Sequence, residues 1–274
     1  MSALICLRGT DGVVLVSDGI CYAEDGMIMG TRVSKVMPFN EWNCVVGAVG
    51  AGPVLHAFRD RLQHRPEGFD DVKRVAVDYL QDVHRDLERQ NYYHPVHFTV
   101  LLTGISEETG EFESLAVSSR EKPAAGDNGL VVVRPAWELT PLPWLWSSAA
   151  TLSEPCKQFG IDFESREAFG GCANAIDLGV RLVCALRSTS GPIDPELSDD
   201  PGHFAVGGFI QTTLFTRDRI EQRIVHRWPD EWGKYLDPAA GDAKPFLSWD
   251  PETLAPRATT TTTPDNTEAK DDHD

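Results

Sequence analysis

Ser2, Asp18 and Lys35 are the residues of this chain whose types and spacing point to chemistry. Removal of Met1 would leave Ser2 with a hydroxyl and a free α-amine on one residue. An α-amine titrates near neutrality and can take the hydroxyl proton itself, so no histidine is required. Asp18 closes the apolar run Val13-Val14-Leu15-Val16-Ser17-Asp18, and Lys35 follows one hairpin later in Thr31-Arg32-Val33-Ser34-Lys35-Val36. A hydroxyl and an amine, with a carboxylate and an ammonium to set the local charge, are the minimum equipment for hydrolysing an amide through an N-terminal nucleophile. Each residue alone has a plainer reading: many chains begin Met-Ser, an aspartate caps turns, and a lysine sits solvated on a strand. Their joint spacing carries the functional reading.

Other chemistries find less support. His94-Pro95-Val96-His97 pairs two histidines, but the proline disrupts helical spacing and no carboxylate or cysteine stands at ligand distance, so no metal is expected. Gly170-Gly171 lacks the lysine of a phosphate loop, and no cofactor is expected. The six cysteines, at 6, 21, 44, 156, 172 and 184, form no Cys-x-x-Cys pair and read as reduced, mostly buried thiols. Cys6 lies near the candidate nucleophile along the first strand, where a structural thiol is the simpler reading.

The elements that must position these residues follow from periodicity. Residues 3–8 and 12–18 are β-like runs joined through Asp11-Gly12, a strong hairpin signal. Two more strands are predicted over 27–39 and 43–49, making the first fifty residues a β-meander. Gly50-Ala51-Gly52-Pro53 ends the strand and opens a helix, with proline in its first turn. A second helix is predicted from Asp70 or Asp71, either a good N-cap. Strands return at 98–103 and 112–117, a loop at 122–129, and short strands at 131–133 and 137–140. Helices follow at 150–160 and 166–187, a proline-bearing loop at 188–202, and closing strands at 204–215 and 219–228. Trp144 and Trp146 read as core or interface residues. This order suits an α+β fold, a four-layer αββα sandwich of two antiparallel sheets flanked by helices.

The 274 residues are 41% hydrophobic and 24% charged, as in a globular protein, and the net charge of −17 disfavours nucleic acid, anionic substrates and anionic membranes. No apolar run approaches the roughly 20 residues that span a bilayer. No basic and apolar leader opens the chain, so the cytoplasm is the expected compartment. Residues 1–232 are expected to fold as one domain. Residues 233–274, with Thr259 to Thr263 and an acidic end, are expected to be a largely disordered tail.

Three stretches resemble the proteasome β-subunit family, including the peptidase subunit of the bacterial two-component heat-shock protease: Asp11 to Gly19, Met29 to Val36, and Gly47-Ala48-Val49-Gly50-Ala51-Gly52. Weaker likeness continues through 98–103 and Val206-Gly207-Gly208. The resemblance implies an N-terminal-nucleophile hydrolase, with the nucleophile on Ser2, the catalytic aspartate on Asp18, the lysine on Lys35 and an oxyanion donor at the backbone N–H near Ala51. A supporting serine falls on Ser147 or Ser148, with Ser148 preferred. The chain departs from the family pattern in having serine where the family has threonine. Val206 and His203 also stand where the family often has serine and aspartate, with Asp199 and Asp200 close by but out of register.

The function these readings predict is a proteasome-like peptidase that cleaves peptide bonds in a self-compartmentalising homo-oligomer, ring or stack, with peptide or protein substrates and an unidentified unfoldase as an optional partner. Two alternatives stand beside it. One is an inactive structural subunit of the same fold. The other is an amidase or acyltransferase of the N-terminal-nucleophile class acting on small molecules.

Overall fold

The structure, a computed structural model, describes residues 2–23, 25–63, 66–90, 96–125, 131–148, 171–191 and 202–241. Met1, His94, Cys156, the predicted 150–160 helix, Asp199, Asp200 and the chain beyond 241 lie outside the described residues.

Within them the fold is mixed α/β. One five-stranded antiparallel sheet contains β1 (Leu4–Arg8), β2 (Gly12–Asp18), β12 (Leu145–Ser147), β13 (Phe209–Thr216) and β14 (Ile220–Arg227), in the order β12-β1-β2-β13-β14. A second contains β5 (Val36–Phe39), β6 (Cys44–Gly50), β7 (Phe98–Ile105), β8 (Phe112–Ser118) and β11 (Thr140–Pro141), in the order β11-β8-β7-β6-β5. Two ribbons, β3 (Cys21–Tyr22) with β4 (Ile28–Gly30) and β9 (Lys122–Ala125) with β10 (Val131–Arg134), stand apart. The helices are α1 (Val54–Leu62), α2 (Phe69–Arg89) and α3 (Cys172–Arg187).

The alternation of strand side chains sorts the core. On β1 and β2, Ile5, Leu7, Val14 and Val16 pack with Ala175, Ile176, Val180 and Val183 of α3. Their neighbours Leu4, Cys6, Val13 and Leu15 face the other way and pack with Val36, Val45 and Leu101 of the second sheet. On β6, Cys44, Val46 and Ala48 meet Phe58 of α1 and Val72, Ala76, Leu80 and Val83 of α2. Each sheet buries both faces, which is why β2 is buried at every position.

Several expectations are corrected. The first fifty residues are not one meander: β1 and β2 belong to the first sheet, β5 and β6 to the second. The predicted 27–39 strand breaks after Gly30 and resumes at Val36, so residues 31–35 cross between the sheets. The second helix does not use Asp70 or Asp71 as its N-cap. Gly68 takes that place, and the Glu107 carboxylate accepts from the N–H groups of Phe69 (2.9 Å) and Asp70 (2.8 Å). The expected loop at 122–129 starts as strand β9. Residues 204–208 precede β13 rather than joining it. The packed chain also runs past 232: Gly233 N–H donates to Ile28 O at 2.8 Å, and Leu236 is buried against Ile20 and Ile28.

Those last residues complete a buried ion pair. Arg187, 2% exposed at the end of α3, makes two parallel bonds to Asp230 (3.0 and 2.9 Å) and donates to the carbonyls of Val206, Asp237 and Ala240. Its guanidinium lies 4.5 Å from the Trp228 ring centroid, a stacked position that suits a planar cation. Asp230 in turn accepts from Gly208 N–H at 2.7 Å. The pair thereby clamps the turn Val206-Gly207-Gly208, whose Gly208 has φ +73° and where a Cβ would lie 2.7 Å from Thr31 O. Removing the cation would strand Asp230 among buried groups. Arg187→Ala is expected to cost about 3–5 kcal/mol of unfolding free energy, measured from urea denaturation of the full chain.

Candidate active site

The Asp18 carboxylate, fully buried at the end of β2, gathers the candidate residues. Its Oδ1 accepts from Ala3 N–H at 2.9 Å and pairs with Lys35 Nζ. Its Oδ2 accepts from Ile20 N–H and Gly207 N–H, both at 3.3 Å. A buried carboxylate needs this many donors, because burial of an unpaired charge costs several kcal/mol. Lys35, 7% exposed, reaches Asp18 from the crossing segment that ends where β5 begins. The bond from Ala48 N–H to Lys35 O (2.8 Å) and that from Val33 N–H to Gly19 O (3.1 Å) hold this segment between the sheets.

Ser2 is the residue before the one that Asp18 holds. Ser148, at the end of β12, fixes it from the other side. Ser148 Oγ donates to Ser2 O at 2.6 Å and accepts from Leu4 N–H at 3.0 Å, and Ser148 N–H donates to Leu4 O at 2.9 Å. The structure therefore brings Ser2, Asp18, Lys35 and Ser148 together. Ser147 instead pairs with Ile5 in the ladder. Val206, where a supporting hydroxyl was sought, is buried beside α3 in the first core cluster. What that stretch contributes to the site is backbone, through Gly207 N–H.

Ala51 does not serve as expected. Its N–H donates to His97 O at 3.0 Å, so that group is already satisfied. Successive N–H groups alternate sides along a strand. Ala48 N–H points to the Lys35 edge, so the N–H of Gly50 points to the same edge, past the end of the β5 ladder. Gly50 has φ +101°, and a Cβ there would lie 2.2 Å from His97 O, which restricts the position to glycine.

Tyr22 is the residue that sequence reasoning missed. Its hydroxyl lies 3.4 Å from Ser2 Oγ. Burial pushes the phenol far above its ordinary range; the hydrogen bond to Ser2 opposes this and the Asp18 charge adds to it. No spacing rule marks Tyr22, since it reaches Ser2 from a separate ribbon 20 residues along the chain.

Cys6 is no rival nucleophile. It is fully buried between the sheets with Ser114 Oγ at 3.7 Å, and desolvation holds its thiol up at about 11. Next to the site, a cleft of about 450 Å³ opens between residues 32–38 and the start of α1, with Gly52, Leu55, His56 and Gln222 in its wall.

Compared by sequence, the chain matches no family model and no curated protein. Compared by structure, it is similar to a mutant of Anbu from Hyphomicrobium sp. strain MC1, with TM-score 0.55 and 11% identity over 82% of this chain and 88% of that one. It is likewise similar to Anbu (ancestral beta-subunit) from Yersinia bercovieri, with TM-score 0.53 and 12% identity over 82% of this chain and 87% of that one. The chain has a proteasome-like fold. These findings correct the sequence-level resemblance: membership of the proteasome β-subunit family, and kinship with the heat-shock peptidase subunit in particular, give way to a likeness of fold with Anbu. At such identity, the likeness shows the fold alone. No helix among the described residues is long and apolar enough to cross a membrane.

Two outcomes follow from the geometry. Asp18→Ala leaves the Lys35 ammonium and the N–H groups of Ala3, Ile20 and Gly207 without their acceptor, and is expected to cost about 3–5 kcal/mol. The double variant Asp18→Asn/Lys35→Met should lose less than the sum of its single changes in urea titrations. In thiol labelling read by peptide mass, Cys21, which is half-buried, should react in the native state. Cys6, Cys44, Cys172 and Cys184 are all buried with thiols raised by desolvation, and should label only on unfolding.

Proposed function

We propose that this protein hydrolyses peptide bonds through Ser2, exposed as the first residue by removal of Met1, within a homo-oligomer. One observation carries the reading. A single buried carboxylate, Asp18, holds both the Lys35 ammonium and the backbone of Ala3, fixing a cation beside the first residues of the chain.

In this reading the Ser2 hydroxyl attacks the substrate carbonyl, and the α-amine of Ser2 takes the proton and later delivers it to the leaving amine. Lys35 stabilises the developing oxygen anion. Ser148 fixes the Ser2 carbonyl, and Tyr22 sets the direction of the Ser2 hydroxyl. Gly50 N–H receives the charge on the tetrahedral intermediate, taking the role first assigned to Ala51. Water then releases the acyl group by the same steps in reverse order. No residue of this scheme requires a metal or cofactor.

The finer architecture belongs to the same proposal. Packing of α3 on the first sheet, of the sheets on each other, and of α1 and α2 on the second sheet supports a helix–sheet–sheet–helix order. The likeness to the Yersinia protein, an ancestral beta-subunit, supports an oligomer. A second reading, an assembling subunit without turnover, is favoured by Val206, which offers no hydroxyl at the late glycine pair.

The test is intact mass before and after an electrophile that requires a hydroxyl and a free α-amine on one residue. Loss of Met1 and a single adduct, absent in Ser2→Ala, is the expected outcome. Retained Met1 without an adduct would leave only the subunit reading. Tyr22→Phe should slow adduct formation about threefold, the statistical factor for releasing a side chain into three staggered wells, with an unchanged urea midpoint. Light scattering of the purified chain checks the oligomer.

A further inference from the structure

The cleft beside the site has an unusual wall. Among the described residues its lining includes the apolar Val33, Val36, Met37, Pro38 and Leu55 and no aspartate or glutamate. Two of its polar members are already occupied: Ser34 Oγ donates to Val36 O at 2.7 Å, and Gln222 Nε2 donates to Val36 O and Thr213 Oγ1 at 3.1 and 2.9 Å. The other two, Arg32 and His56, are exposed, and their side chains have no hydrogen-bond or ion-pair partner among the described residues. Nearby cations are neutralised: Lys35 by Asp18 and Arg59 by Glu41. An unpaired arginine in an acid-free cleft is unexpected in a chain of net charge −17, where carboxylates outnumber bases. The first turn of α1, beside the cleft, also has no acidic residue to compete for these groups.

We propose that this cleft binds an acidic side chain, glutamate or aspartate, of a peptide substrate, with Arg32 and His56 receiving the carboxylate and the apolar wall its methylenes. Residues 32–34 run directly into Lys35, and Gly52 follows two residues after Gly50. A side chain seated here therefore belongs to a peptide whose backbone passes the Ser2 site. The inference rests on the peptide reading of that site and adds the substrate class.

The experiment uses the full chain bearing Ser2→Ala, so that binding is separated from chemistry. Three fluorescein-tagged pentapeptide amides, differing only in a central Glu, Leu or Lys, are titrated by anisotropy. The Glu peptide should bind about tenfold more tightly than the Leu peptide at low salt, with the gap narrowing as ionic strength rises. Adding Arg32→Glu, an exposed change that leaves the core untouched, should abolish that preference and favour the Lys peptide. Equal affinities, a Glu preference that survives Arg32→Glu, or no binding of any peptide would each overturn the proposal. The mass experiment on the wild-type chain keeps the two readings apart. An adduct on Ser2 without a Glu preference removes only the acidic cleft. An Arg32-dependent Glu preference without an adduct removes the nucleophile and leaves an acidic-peptide binding site.

Discussion

The carboxylate of Asp18 is the interaction on which the rest of the molecule depends. Four segments meet on its two oxygens: the N-terminal strand through Ala3, the chain after β2 through Ile20, the crossing segment through Lys35, and the late glycine turn through Gly207. A buried ion pair is a weak source of stability, because desolvation offsets most of the Coulomb attraction. What it supplies is position. With every acceptor direction occupied, the carboxylate admits one arrangement of its donors, and the backbone at Ala3 and the lysine are held on one oxygen before any ligand arrives. Such preorganisation is what electrostatic catalysis requires, since donors already in place need no reorganisation during reaction.

The second buried pair acts on the same turn from the far side. Arg187 and Asp230 hold Val206 O and Gly208 N–H, while Asp18 holds Gly207 N–H between them. Side chains are excluded there by distance: a Cβ on Gly207 would lie 2.4 Å from Asp230 Oδ2. The two glycines are thus required by the convergence of two charged groups on one loop. Among the described residues the Arg187 Nε has no hydrogen-bond partner, so even this network is not fully satisfied by them. That supports reading it as a device for geometry rather than for stability.

Local features were legible in the sequence and non-local ones were not. The Asp11-Gly12 turn, the alternation along β1 and β2, and the apolar face of α2 each follow from neighbours in the chain, and the spacing of Asp18 and Lys35 followed from the first of these. The cap of α2 did not, because its acceptor, Glu107, lies 38 residues away, and a remote carboxylate outcompeted the local aspartates. The break between β4 and β5 was hidden because residues 31–35 are as β-prone as their flanks; the tie of Val33 to Gly19 and the pairing of Lys35 with Asp18 pull them out of a ladder. The late motif misled for a different reason. The family pattern points to a side chain at Val206, whereas the contribution is a backbone N–H from Gly207, which residue type does not encode.

In the proposed reading, a serine at position 2 raises the question of what orients its hydroxyl. A β-methyl restricts χ1 sterically. Without it, three staggered wells are open, and confining the hydroxyl to one costs at most about 0.65 kcal/mol, RT times the logarithm of three. A typical hydrogen bond contributes about 1 kcal/mol, so one partner is enough to offset the loss. Tyr22 offers that partner in the proposed reading: its hydroxyl stands 3.4 Å away, outside the usual O–H···O range, and makes a full hydrogen bond once the gap shortens as a substrate closes the site. The backbone needs no such adjustment, because Ser148 already holds Ser2 O at 2.6 Å. In that reading a hydrogen bond stands where a β-methyl would restrain χ1, and the reach of the β3–β4 ribbon sets where the Ser2 hydroxyl points.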